Sequence, residues 1–201
     1  MKRAGGACAY TPAKRPSAGH WSTKLIECMG NPDMVVQSDD LTVTIKDGYP
    51  KAKHHYLVLP KEDIPSLRHI NRTHIPLVKQ MMENGKTLAK KLTEKDGTLK
   101  FRHGYHAIPS MARLHMHVVS QDLVSPCLKN KKHWNSFTTE FFVEAEQVIE
   151  LLESKGEVQF DKSRFEEFLK LPLRCHKCEA TPINMPKLKA HLEQHSRSKT
   201  M

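Results

Sequence analysis

Along the chain the spacing of apolar positions changes several times, and each change predicts an element. Trp21, Leu25 and Met29 recur every four residues, with Ser22 able to cap, so a helix is expected from His20. Strands follow at about 34–37 and 41–46, where Leu41, Val43 and Ile45 alternate with polar residues, and Asp47-Gly48-Tyr49-Pro50 reads as a turn. A third strand, Lys53 to Pro60, ends where proline stops pairing. From Thr73 to about Lys95 the period becomes helical, with Ile75, Val78, Met82, Leu88 and Leu92 on one stripe and lysines on the other side. Leu99–Tyr105 reads as a strand paired with the alternating stretch Arg113–Val118. Thr139–Ser154 reads as an amphipathic helix using Phe141, Phe142, Ala145, Val148, Ile149 and Leu152, ended by Lys155-Gly156. Strands, one long helix and further strands in antiparallel order predict an α+β domain: an antiparallel meander sheet with flanking helices.

Size and charge narrow this picture. With 201 residues there is room for one substantial core and a small appendage. Residues 1–19 mix basic residues, Gly, Ala, Ser and two prolines without an apolar face and are expected to be a disordered basic tail; 20–165 form the main domain and 166–201 the appendage. A net charge of +10 and a pI near 9.4 favour polyanionic partners. No apolar run approaches the roughly 20 residues a bilayer needs, so no membrane partner is expected, and the first residues lack the apolar centre of a signal peptide. Cys8, Cys28 and Cys127 are expected to be free thiols in a reducing compartment, since the other two of the five cysteines belong to a metal motif.

Three clusters carry chemistry. In the alternating stretch Arg113, His115 and His117 would share one face while Leu114, Met116 and Val118 point into a core. Two imidazoles beside a guanidinium, with Ser110 upstream, suit phosphate chemistry better than metal binding, because the pair lacks a third ligand nearby. Lys129-Asn130-Lys131-Lys132-His133-Trp134 reads as a basic loop that offers cations to phosphates and a ring for stacking. In the last segment two residues separate Cys175 from Cys178, twelve separate Cys178 from His191, and three separate His191 from His195. That is the spacing of a small ββα-like zinc finger whose four ligands leave no open coordination position, so Zn2+ there is structural. Its helix offers lysines rather than base-reading side chains, so it is expected to grip the nucleic-acid backbone. Loss of the metal is expected to unfold this segment and weaken nucleic-acid binding before it affects chemistry in the main domain.

Ser110 to Val119 resembles the signature of the histidine-triad superfamily. With Ala107-Ile108-Pro109-Ser110 before it, Ser120-Gln121-Asp122 and Ser125 to Asn135 after it, and the finger, the span from about Gly19 to His195 is similar to the zinc-finger-bearing DNA-adenylate hydrolases of that superfamily. Members often begin with a forkhead-associated domain, for which there is no room here. The resemblance implies that His115 attacks an adenylate on a DNA 5′ end, giving a histidine-AMP intermediate and then AMP, with no catalytic metal. It implies that His117 contacts the phosphate, that Ser110 hydrogen-bonds the leaving oxygen, and that His55 reaches the phosphate although its strand position fits imperfectly with Lys51 and Lys53. Asp47 would hold the ribose and Lys51 the nucleotide; Lys53, Lys131, Lys132 and Trp21 would meet DNA. Adenylated nicked or broken DNA, RNA–DNA ends, repair proteins in a longer form and a nuclear location follow from the same likeness. One position departs: Arg113 stands where the family has its first histidine, and it is expected on the His115 face, slowing the reaction. Two other readings stay open, a general nucleoside phosphoramidate or dinucleotide hydrolase and a zinc-finger DNA-binding module with impaired catalysis.

Overall fold

The computed structural model describes residues 20–197; the basic tail and Cys8 lie outside them. Helix α1 (His20–Met29) leads into strands β1 (Val35–Ser38), β2 (Thr42–Lys46) and β3 (His55–Pro60), then helix α2 (Ile75–Lys95), β4 (Phe101–His106) and β5 (Met116–Ser120). Helix α3 (Lys131–Thr138), strand β6 (Phe142–Glu144) and helices α4 (Ala145–Lys155), α5 (Lys162–Phe168) and α6 (Met185–Arg197) complete the chain. Every pairing is antiparallel, in the order β1-β2-β3-β5-β4-β6. The order is a meander except that β5 enters between β3 and β4, so the histidine strand is central and all five of its residues are buried.

Local chemistry explains most boundaries. Asp39 Oδ1 accepts from the Leu41 and Thr42 amides and so turns β1 into β2. The third strand begins at His55 rather than Lys53, because the Lys53 amide bonds Asp122 instead of a ladder partner. Lys131–His133, expected in a loop, open a helix capped by Asn130, whose side chain accepts from the His133 amide at 2.8 Å. Thr139–Ser154 is not one helix. Phe142 and Val143 pair with His106 and Tyr105 on β4, and α4 begins only at Ala145, where Glu144 and Gln147 form a reciprocal cap. Gly104 makes that pairing possible, since a Cβ there would sit 2.3 Å from the Val143 carbonyl oxygen. Gly156 ends α4 at φ 84°, as its position predicts.

The alternation along β5 sorts the core. Met116 and Val118 face α2 and α4, among Val58, Met81, Tyr105, Val148 and Leu152. Gly85 of α2 lets this helix come close, because a Cβ would lie 2.8 Å from Met116 and 2.9 Å from Val118. Val119 belongs to a second cluster with Trp134, Phe137 and Phe142, which continues into Leu173, Cys175, Leu188 and Leu192 near the C-terminus. Leu57, Leu59, Val43 and Ile45 meet Leu25 of α1.

Candidate functional site

The site is built where β3, β4 and β5 lie side by side. Pairing of Leu57 and Gly104 with His117 brings the rings of His55, His106 and His117 together. His117 lies 5.1 Å from His55, 4.5 Å from His106 and 5.0 Å from His115 between ring centroids. All four histidines are held neutral. Burial lowers each pKa, to about 4 for His55, and for His106 and His117 the neighbouring imidazoles and Lys51 push further down.

Hydrogen bonds assign the protons. The His115 Nδ1 lies 2.8 Å from the carbonyl oxygen of Arg113, which can only accept, so Nδ1 carries the hydrogen and Nε2 keeps its lone pair. The Lys51 amide donates to His55 Nδ1 at 3.1 Å, and His55 Nε2 lies 2.9 Å from His117 Nδ1. Asp47 Oδ2 is 3.3 Å from the same His55 Nδ1 and competes for it. The shorter amide contact and the neutrality of the ring put the proton on Nε2, so His55 donates to His117 and the His117 hydrogen sits on its own Nε2. That atom is buried and, among the described residues, has no hydrogen-bond partner, and the same holds for Nε2 of His106. The arrangement thus offers one lone pair and a buried N–H donor in a single cluster, as nucleophilic attack on phosphorus with charge stabilisation requires.

Arg113 is placed differently from expectation. Its φ of 97° turns the chain just before β5, which breaks the alternation. The guanidinium is engaged by Asp63 Oδ1 at 2.7 Å and by the carbonyls of Pro60, Lys61 and Glu62 at 3.2, 2.9 and 3.2 Å, so it does not stand as a phosphate donor beside His115. Ser110 is exposed and lines a surface groove with Ser66, Arg68, Met111 and Lys162. Lys51 is half-buried, donates to the Tyr49 carbonyl, and lowers the pKa of three site histidines, so its positive field reaches the cluster. Lys53 turns instead to Asp96, at 3.5 Å. Lys131 donates to the Lys170 carbonyl, and Lys132 is exposed on α3. Trp134 is not a stacking platform: it is 1 % exposed, and its Nε1 donates to the Arg174 carbonyl at 3.0 Å. Trp21 lies on α1, but its side chain is outside the described residues.

Two members of the cluster are not among the expected residues. His106 follows Gly104 by two on β4, and Gly104 pairs with His117, so the alternation that singles out His117 extends across the ladder to His106. Phe137 packs edge-on against His55 at 5.3 Å, His117 at 5.3 Å and His106 at 4.7 Å. Hydrophobic spacing alone marks it only as core.

Near the C-terminus the ligand atoms of Cys175, Cys178, His191 and His195 all lie within 4.8 Å of one another. Cys175 Sγ is 3.5 Å from His195 Nε2, Cys178 Sγ is 3.2 Å from His191 Nε2, and the two Nε2 atoms are 3.1 Å apart. Tetrahedral Zn2+ with bonds of about 2.0–2.3 Å needs ligand separations of about 3.3–3.8 Å, so the set fits zinc with small adjustments. The cysteine knuckle is closed by the Cys175 amide on the Ala180 carbonyl, and α6 presents both histidines from adjacent turns. Cys28 and Cys127 are free thiols.

The chain matches the profile of the scavenger mRNA decapping enzyme C-terminal binding family over residues 20–133 and that of the C2HE/C2H2/C2HC zinc-binding finger over residues 138–198. It is 52 % identical to aprataxin of Danio rerio over 182 residues, 90 % of this chain and 56 % of that protein. It is 49 % identical to aprataxin of Gallus gallus over 185 residues, covering 92 % and 58 %. The aprataxin-like protein of Schizosaccharomyces pombe is 33 % identical over 179 residues, covering 80 % of this chain and 73 % of that protein. The chain therefore spans little more than half the length of the two vertebrate relatives. The crystal structure of the aprataxin ortholog Hnt3 in complex with DNA superposes with a TM-score of 0.68 at 28 % identity, covering 86 % of this chain and 92 % of that one. Hnt3 in complex with DNA and guanosine gives 0.68 at 27 % identity, covering 87 % and 95 %.

Proposed function

The chain belongs to the aprataxin family, and from that premise we propose that it is a DNA repair hydrolase that removes AMP from 5′-adenylated DNA ends. The observation that carries the reading is the hydrogen bond from His115 Nδ1 to the Arg113 carbonyl, which leaves a neutral imidazole with its Nε2 lone pair available. In the first step that lone pair attacks the phosphorus of the adenylate. A P–N bond forms, the P–O bond to the DNA 5′-phosphate breaks, and the strand departs as 5′-phosphate DNA. Water then attacks the same phosphorus, the P–N bond breaks, and AMP is released with His115 restored.

The remaining residues act on charge. His117 Nε2–H, backed by the donor His55, hydrogen-bonds a phosphate oxygen as its charge grows. Lys51 supplies the positive field and Asp47 faces the ribose hydroxyls. Ser110 and Lys132 meet the strand on the exposed side. Charge of +10 and the DNA bound by the Hnt3 ortholog support a nucleic-acid end as substrate over a free dinucleotide. Zinc on the C-terminal finger holds that segment folded and takes no part in the displacement. Adenylated nicks and breaks, RNA–DNA ends among them, are the proposed substrates, repair proteins the partners of a longer form, and the nucleus the location.

The test is incubation with 5′-adenylated nicked DNA carrying labelled AMP, followed by trapping. A labelled protein-AMP adduct and free AMP are expected from the parent protein and neither from His115→Ala. An adduct that forms on His115→Ala, or AMP release within about two-fold of the parent in that variant, would sink the assignment.

A further inference from the structure

Arg113 is strained, buried and heavily bonded, yet it does not reach toward a substrate. A non-glycine residue in the left-handed region is strained and persists only where its surroundings over-determine it. Here the surroundings are visible. The Arg113 amide donates to the Pro65 carbonyl at 2.8 Å and the Leu114 amide to the Ile64 carbonyl at 2.7 Å, while one guanidinium nitrogen, Nη2, faces three successive carbonyls, Pro60 to Glu62. Asp63 is 85 % exposed, so its pair with Arg113 adds little. The carbonyls matter more: all three converge on the single nitrogen Nη2, which sits one bond further from the backbone than a lysine ammonium would, so a shorter side chain does not reach that point. What this clip fixes is the direction of the Arg113 carbonyl, and that carbonyl is the acceptor for His115 Nδ1.

We infer that Arg113 is a positioning residue: it locks the segment after β3 to the start of β5, and thereby holds its own main-chain carbonyl where it selects the reactive tautomer of His115. The inference rests on the proposed role of His115 as nucleophile, but the tautomer can be read without any substrate. It also reverses the expectation that arginine at this position slows the reaction. The fork replaces a contact at the phosphate with a brace behind the nucleophile.

The test compares Arg113→Gly, Arg113→Lys and the parent by nitrogen-15 NMR of the His115 ring and by single-turnover AMP release from a small adenylate. Glycine accepts the left-handed backbone, so that variant removes the fork while leaving the local conformation allowed. Its His115 resonances should move from a fixed Nδ1–H form toward a mixture of tautomers, and the turnover rate should fall about ten-fold while KM stays within about two-fold. Lysine, whose ammonium stops one bond short of the Nη2 position, should fall between. A Gly variant with unchanged ring resonances overturns the inference whether or not any substrate is turned over. So does a raised KM with an unchanged rate, which would mean that the guanidinium touches substrate. If Arg113→Gly does not fold, as judged by circular dichroism, the Lys variant decides, and one that matches the parent in both tautomer and rate overturns the inference. A parent that shows the fixed tautomer but releases no AMP would sink the proposed function and leave the positioning role standing.

Discussion

Removal of zinc, by chelation or by Cys178→Ser, is expected to disable the histidine cluster as well as the finger. Leu173, Leu188 and Leu192 are 6 %, 0 % and 1 % exposed and share one apolar cluster with Trp134, Phe137 and Val119. Polar contacts stitch the same seam: Trp134 Nε1 to the Arg174 carbonyl, Asn135 Nδ2 to the Leu169 and Leu171 carbonyls, His176 Nε2 to Gln121, and Lys189 to the Ser125 carbonyl. Burying one leucine side chain contributes about 1.5–3 kcal/mol, so exposing three forfeits roughly 4–9 kcal/mol, an upper estimate. That is comparable with the roughly 5–15 kcal/mol that holds a whole domain folded. The loss reaches the site through Phe137, whose ring braces His55, His106 and His117. Chelator-treated protein should therefore melt earlier as a whole and lose turnover of a small adenylate together with DNA binding, contrary to the separable loss that the sequence alone suggests. The assay is a thermal melt beside two activity measurements, one on adenylated DNA and one on a small adenylate. Unchanged small-adenylate turnover and an unchanged main transition after complete zinc removal would refute the reasoning.

Acid should act on rate and stability in different windows. Because burial lowers the His115 pKa from its ordinary 6.5, the neutral nucleophile survives below pH 6.5, and a pH–rate profile whose acid limb sits at or above 6.5 would contradict the burial argument. For stability, the depressed folded pKa of His55, about 4, means that the unfolded chain binds the extra proton first. Its contribution is intact above 6.5 and is lost as pH falls from 6.5 to about 4, at up to roughly 1.4 kcal/mol per pH unit, with His106, His115 and His117 adding in the same direction. A melting temperature that is flat from pH 7 to pH 5 would exclude it. DNA affinity should fall with salt at a logarithmic slope of about −0.9 per neutralised phosphate of duplex, and a flat response would rule out a backbone grip by the basic surface.

Period and spacing carried much of this structure. The alternation overlaps the central strand only at Met116–Val118, with Arg113–His115 in the turn before it, yet it singles out both histidines, and the Cys-x2-Cys and His-x3-His spacings locate four ligands that do converge. What period cannot report is the partner of each face. Phe141, Phe142 and Ala145 fit a helical stripe, yet Phe142 and Val143 are claimed by the edge of β4, a contact made nearly 40 residues back along the chain. Trp134 reads as a ring available for stacking until α6 and the segment before it cover the ring. Arg113 is the clearest case. Its backbone conformation is imposed by carbonyls about 50 residues upstream, and no local propensity of arginine announces a positive φ.

The wall provided by Phe137 has a consequence for how the protein is made. His55, His106, His115 and His117 all leave the ribosome before Phe137, and Phe137 leaves before Leu188 and Leu192. At about 5–20 residues per second, roughly 4–15 s separate the last histidine from the last leucine of the seam. During that interval the nascent chain holds every histidine of the site, while Trp134 and Phe137 lack the cover that buries them. A chain cut short within the finger is arrested permanently in that condition. Such a chain keeps its complete histidine sequence but presents apolar rings to chaperones and proteases, so its defect should register first as low abundance in the cell.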